Sequence, residues 1–186
     1  MLTAVRRLTT IVPVLLLVSI AACATGSHAT APALHGRPGA VSASWPVLND
    51  ASFGYSLRYP PGWTEKFDQP AGFHALASRA DMTSLLDLQG DDFWLVAQAS
   101  TPDPSAGCGE PADGPVDRAA TTLGGLPATR YVVAGTRGDA TQHIFDVVAV
   151  RSGTCYTLQL VAGGAISQER ALTTLQAIQD SYRLTG

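Results

Sequence analysis

His74 and His143 are the side chains best suited to moving a proton, because an unperturbed imidazole changes charge between about pH 5 and 8. Either becomes an acid–base catalyst only if folding sets a nucleophile on one side of the ring and a carboxylate on the other. Both lie in stretches that read as strands, where a histidine satisfied by its neighbours is the plainer expectation. Cys108 and Cys155 could supply a nucleophilic or metal-binding thiol, but no histidine is near either in sequence and CxxC is absent. Two groups of acids, Asp87, Asp91 and Asp92, then Asp103, Glu110, Asp113 and Asp117, offer oxygens to a calcium ion, but solvated acidic loops explain them better. The chain has no GxSxG, HExxH, Walker loop or SxxK. Gly107 to Ala112 imitates a dinucleotide loop, yet Pro111 and the lack of a following helix deny it the phosphate-cradling geometry. No catalytic residue, metal or cofactor is expected, and ligand-binding residues are not identified.

The amino terminus carries a different chemistry. Arg6-Arg7 forms a positive region, Leu8 to Ile20 an apolar run, and Ile20-Ala21-Ala22-Cys23 a small-residue cleavage site, the order of an export signal. Thirteen residues at 1.5 Å each reach roughly 20 Å, short of a hydrocarbon core of about 30 Å, and Pro13 interrupts the run. The segment resembles a bacterial lipobox, and that resemblance implies a diacylglycerol on the Cys23 thiol and a mature chain that begins there. An ordinary secretory signal with a chance cysteine is the alternative. Two or more acyl chains make a durable membrane attachment where one does not, so the expected place is the extracytoplasmic face of the cell membrane. With Cys23 acylated, Cys108 and Cys155 remain as a single possible disulfide in an oxidising compartment.

Composition narrows the partners. The 186 residues are 46% hydrophobic and 15% charged, which suits one domain with accessory segments. Removing Arg6 and Arg7 from 12 basic residues leaves ten against 15 acidic, a net charge of about −5. No basic cluster exists, so nucleic acid is not an expected partner.

Three segments must position these groups: a signal peptide over 1–22, the acylated cysteine with a linker over 23–44, and a globular domain over 45–186. The linker is nearly all Ala, Thr, Gly, Ser, Pro and His; its His28 and His35 are expected to be solvated. In Phe53 to Trp63, FGYSLRYPPGW, the residues Phe53, Tyr55, Leu57 and Tyr59 alternate as in a half-buried strand, and Pro60-Pro61-Gly62 supplies a type II turn. Trp63 to Phe67 is expected to return as the second strand of a hairpin. Further strands are expected over Phe73–Arg79 and Phe93–Ser100, with a short helix over Met82–Leu88 between them. Pro102 to Asp117 reads as a long coil that a disulfide would pin, and strands resume around Gly124-Gly125. Leu126–Val133, Thr141–Arg151 and Thr154–Val161 form a meander, in which Cys155, Thr157 and Gln159 face away from Tyr156, Leu158 and Leu160. Ser167 caps a final helix whose stripe of Leu172, Leu175, Ile178 and Tyr182 lies on the sheet. Tyr55, Tyr59, Trp63, Phe93, Trp94 and Tyr156 are expected in the core, with room for an acyl or glycolipid cavity between sheet and helix.

The FGYSLRYPPGW strand-turn, the late CYTLQL strand and a terminal helix ending in DSYRL together resemble the PsbP-like fold, and more narrowly the LpqN/LpqT-type actinobacterial (mycobacterial) lipoproteins. The likeness spans about Trp45 to Gly186. It implies an α+β domain, a twisted antiparallel sheet with helices packed on its faces, and a binding or accessory role near the cell envelope without catalysis. Fold alone does not fix function. The expectation is a lipid-anchored module for an envelope lipid, glycolipid or protein partner; the alternatives are an interaction scaffold without a small ligand and a hydrolase with a His–carboxylate site.

Overall fold

Apolar residues at every second position of Phe93–Ser100 and Thr154–Gly163 give each of these central strands a continuous face to bury, and a sheet grows outward from them. The computed structural model describes residues 41–66, 70–102, 107–111, 114–137 and 140–185. Cys23, His28 and His35 lie outside the described residues, as does the expected signal peptide.

The strands are β1 (Val47–Asp50), β2 (Tyr55–Arg58), β3 (Thr64–Lys66), β4 (Phe73–Ala77), β5 (Phe93–Ser100), β6 (Pro115–Leu123), β7 (Leu126–Arg137), β8 (Ala140–Arg151) and β9 (Thr154–Gly163), followed by helix α1 (Gln168–Ser181) and β10 (Arg183–Leu184). They form a seven-stranded sheet in the order β3-β4-β5-β9-β8-β7-β6 and a three-stranded sheet in the order β1-β2-β10. Every pairing is antiparallel.

Register sorts the large sheet into rows. Leu76, Leu95, Leu160 and Phe145 lie opposite one another on one face, as do Ala97, Leu158 and Val147. That face is covered by α1 and by the small sheet, whose Leu48, Tyr55 and Leu57 join Leu175, Ile178 and Tyr182 in one buried cluster. Each fully buried Leu or Ile there contributes on the order of 2 kcal/mol. Ser167 caps α1 by accepting from the Arg170 N–H, and Leu172, Leu175, Ile178 and Tyr182 form the expected stripe. Among the described residues this is the one α-helix.

The expected hairpin between FGYSLRYP and the next strand does not form. Gly62 takes φ 88° and the Trp63 N–H donates to the Pro60 carbonyl, so the turn is present. It instead carries the chain from one sheet to the other: β2 pairs with β1 and β10, while β3 pairs with β4. The physical reason is that Tyr55 and Leu57 are buried against α1, a position that a strand in the large sheet could not reach.

The other face of the large sheet is covered by loops. The expected helix over Met82–Leu88 is a single 3-10 turn, Leu85–Asp87, closed by Ser84 and Asp87 as a capping box. Met82 is buried with Ala75, Ala77, Trp94 and Val161. The expected coil over Pro102–Asp117 ends early, because β6 already pairs with β7 from Pro115; its mostly exposed, polar surface hid it as a strand. Cys108 is bonded to Cys155, with Cα atoms 5.5 Å apart, which holds residues 107–111 over this face.

Candidate functional site

The outer rows of the sheet combine apolar walls with one carboxyl. β8 and β9 set Ile144 opposite Val161, Asp146 opposite Gln159, and Val148 opposite Thr157. Val133 of β7 extends the first row. Leu85 from the 3-10 turn and Gly109 and Pro111 from the disulfide loop complete the walls of a groove of about 400 Å³. A second cleft of about 330 Å³ adjoins it, sharing Val148 and bordered by Cys108, Tyr131 and Val150. The bridge decides the position of the wall, since Cys155 points outward from β9 and draws Cys108 with it.

Asp146 lies in the middle of this apolar lining. It is 5% exposed, and its Oδ1 accepts a hydrogen bond of 2.8 Å from the Gln159 side-chain amide. Burial pushes its carboxyl above the ordinary range, and the Gln159 bond offsets only part of that. A buried carboxyl with one amide partner retains acceptor capacity. The sequence carries a faint signal of the site: one acid inside an otherwise apolar run, Ile144-Phe145-Asp146-Val147-Val148. Sequence reasoning missed Asp146 and Gln159 because a lone acid in a strand also suits an exposed face.

His74 sits at the junction of the two sheets. Its Nδ1 lies 2.8 Å from Glu65 Oε1 on β3, and its Nε2 lies 3.0 Å from Asp50 Oδ2 at the end of β1. The two carboxyl oxygens thus lie against the two nitrogens of one ring. Asp50 also accepts from the Ser52 and Phe53 N–H groups, at 2.8 and 3.0 Å. Burial alone would raise its carboxyl pKa, but the Phe53, His74 and Ser52 donors outweigh it and hold the group below the ordinary range. A cleft of about 330 Å³ opens beside this clamp. The two acids lie on opposite ring nitrogens and do not converge on a point, so they fail to make a metal site. Neither ring nitrogen is free to activate a nucleophile, so His74 does not meet the condition set for a hydrolase.

The remaining candidates fall into structural roles. Asp87 accepts from Thr83 and Ser84, and Asp92 receives the Arg79 guanidinium, so these acids tie the loop rather than surround an ion. Asp91, Glu110 and Asp117 are exposed, while Asp103 and Asp113 lie outside the described residues. Among the described residues no group of three or more His, Cys, Asp or Glu side chains is arranged to hold a metal. Tyr55, Phe93 and Tyr156 are core residues, Tyr59 and Trp63 pack against that core, and Trp94 belongs to the cluster under the loops. His143, half-buried on β8, faces the helix side of the sheet, in alternation with Phe145 and Val147. The space between sheet and helix expected to hold a ligand is filled by this core, and the groove lies on the opposite face.

Among the described residues no helix is long and apolar enough to cross a membrane. No protein-family model matches the chain, and neither does any curated protein. Among solved structures it is similar to a protein from Bacteroides thetaiotaomicron, with TM-score 0.46 and 11% identity over 72% of this chain, and it spans 46% of that longer chain. It is also similar to LpqN, involved in cell envelope biogenesis of Mycobacterium tuberculosis, with TM-score 0.45 and 20% identity over 82% of this chain and 88% of that one. With cyanobacterial PsbP (CyanoP) from Synechocystis the TM-score is 0.52 at 16% identity, covering 81% of this chain and 98% of the other, so what the chain shares is the PsbP-like fold.

Proposed function

We propose that this chain is a lipoprotein of the cell envelope, anchored by diacylglycerol on Cys23 to the outer side of the membrane, and that its folded part is a non-enzymatic binding module. The observation that carries the binding reading is the groove on the outer face of β7, β8 and β9, where aliphatic side chains stand beside Thr157 and the Asp146–Gln159 pair and polar and apolar surface are in near balance. A concave surface that offers polar and apolar area side by side suits an amphiphile, which has both. The Cys108–Cys155 bond supports an oxidising compartment outside the cytoplasm. The resemblance of FGYSLRYPPGW, CYTLQL and DSYRL to the LpqN/LpqT-type lipoproteins supports an envelope role.

Native mass spectrometry of the protein purified from envelope extracts tests the binding role. An adduct lost on mild activation is the expected result, and a uniform bare mass counts against it. Radiolabelled palmitate tests the anchor: label that disappears with Cys23→Ser supports it, and no incorporation overturns it.

A scaffold reading keeps one observation in its favour. Leu86, next to the groove wall, is 72% exposed and Val150 of the adjoining cleft is 54% exposed. A bare mass together with protection of these two residues in envelope crosslinking would favour a protein partner.

A further inference from the structure

Among the described residues the groove has one ionisable group in its lining, and that group is an acid. Asp146 has no cationic neighbour on its row: Gln159 flanks it on β9, Tyr131 on β7, and Arg118 beyond Tyr131 at the sheet edge is exposed and forms no ion pair with it. One carboxylate oxygen receives the Gln159 amide, and the other has no hydrogen-bond donor among the described residues. Asp146 is one of the residues that line the groove, which puts its carboxyl within reach of an occupant.

An anionic head placed here would face a buried carboxyl with no compensating cation. That is a repulsion in a low-dielectric setting, and it is larger than the same pair would feel in water. A donor head does the reverse. An ammonium gives Asp146 Oδ2 a charge-assisted hydrogen bond, roughly twice as strong as one between neutral groups. Its alkyl body then lies on the half-buried Ile144 and Val148.

Resting on the groove as the binding site, we infer that it selects amphiphiles with a cationic amine head, held by Asp146 Oδ2, over those with carboxylate or phosphate heads. Specificity is thus set by a repulsive element as well as an attractive one.

The test uses the full chain in a non-ionic maltoside detergent, labelled at Ile and Val methyl groups and at the Asp carboxyl carbons. Octylammonium, octanoate and octyl phosphate are titrated separately. The expected result is that octylammonium shifts the Ile144 and Val148 methyls at about ten-fold lower concentration than either anion. Ile178, in the core on the other face, stays unshifted. Asp146→Asn keeps the Gln159 contact through its carbonyl and should erase the ten-fold preference. Should that variant not fold, the carboxyl carbon of Asp146 in the wild-type chain gives an independent readout: its titration midpoint should fall in the presence of octylammonium. Equal or better binding of the anions overturns the head-group assignment and leaves the groove standing. A preference that survives Asp146→Asn, or an unmoved midpoint, also overturns it. No shift of the groove methyls with any of the three probes overturns the site itself.

Discussion

The rings of Tyr55 and Tyr182 lie stacked, with centroids 5.3 Å apart and planes 7° from parallel, which joins the strand of the small sheet to the residue that ends α1. Their hydroxyls have unlike surroundings. Tyr55 donates to the Ala97 carbonyl at 3.2 Å, whereas the Tyr182 hydroxyl is buried without a partner. Tyr55→Phe should therefore cost about 1 kcal/mol, while Tyr182→Phe should be neutral or stabilising, because it removes a buried polar group that gains nothing. Urea denaturation of both variants checks this; a larger loss for Tyr182→Phe would contradict the packing.

The clamp of His74 between Asp50 and Glu65 links the two sheets, so His74→Ala should cost about 1–3 kcal/mol by leaving the buried Asp50 carboxylate short of a donor. The sign of the pH effect follows from Asp50. Its folded-state pKa is held below the ordinary 3.8, so the unfolded chain binds more protons between the two values and stability rises with pH there. The contribution is complete above about pH 4–5 and is lost as pH falls through the folded value. Thermal melts from pH 2 to 6 should show a shallower acid loss in Asp50→Asn, and an unchanged slope would remove Asp50 from the account.

The Cys108–Cys155 bond closes a loop with a sequence separation of 47, which the chain-entropy model values at about 4 kcal/mol as an upper figure. Cys108→Ser should lower stability by up to that amount. It should also release Gly109 and Pro111, so binding in the groove weakens while the α1 side of the sheet is unaffected. An increase in hydrogen exchange at residues 107–111 and the neighbouring ends of β8 and β9 beyond the loss of global stability is the expected signature, and an increase in α1 exceeding that global loss would contradict it.

Asp146 behaves in the opposite sense to Asp50. Burial raises its folded-state pKa, so the folded chain binds more protons and stability falls as pH rises from the ordinary 3.8 to the higher folded value. Asp146→Asn should raise Tm at pH 7 and leave it nearly unchanged at pH 3. An equal effect at both pH values would mean that the carboxyl is solvated rather than buried.

Leu175 is 1% exposed in the stripe of α1. Leu175→Asp places an unpaired charge against Phe145, Leu158 and their neighbours and should cost more than about 3 kcal/mol, enough to unfold a marginal domain. Retention of a cooperative melt near the wild-type Tm would show that α1 is not docked on the sheet.

Much of the architecture is legible in one dimension. Alternation in FWLVAQAS and TCYTLQL gives the central strands, Ser152-Gly153 gives the turn between β8 and β9, and Ser167 with its stripe gives α1, since each depends on neighbours within a few residues. The same holds for the opposed faces of Cys155 and Tyr156. β6 escaped because Val-Asp-Arg-Ala-Ala-Thr-Thr carries no hydrophobic face; it is a strand because β7 offers it a free edge to pair with.

Strand periods, the capped helix and the export-signal-like order of residues at the amino terminus are thus written in the chain itself, as properties of local geometry and residue type. Only the folded chain shows that FGYSLRYP leaves the large sheet, that His74 meets Asp50 of the other sheet as well as Glu65 of the neighbouring strand, and that Asp146 lies in a groove walled by the disulfide loop. Those relations need strand order and register, which are fixed by burying apolar rows over long separations, a collective property that no short window contains.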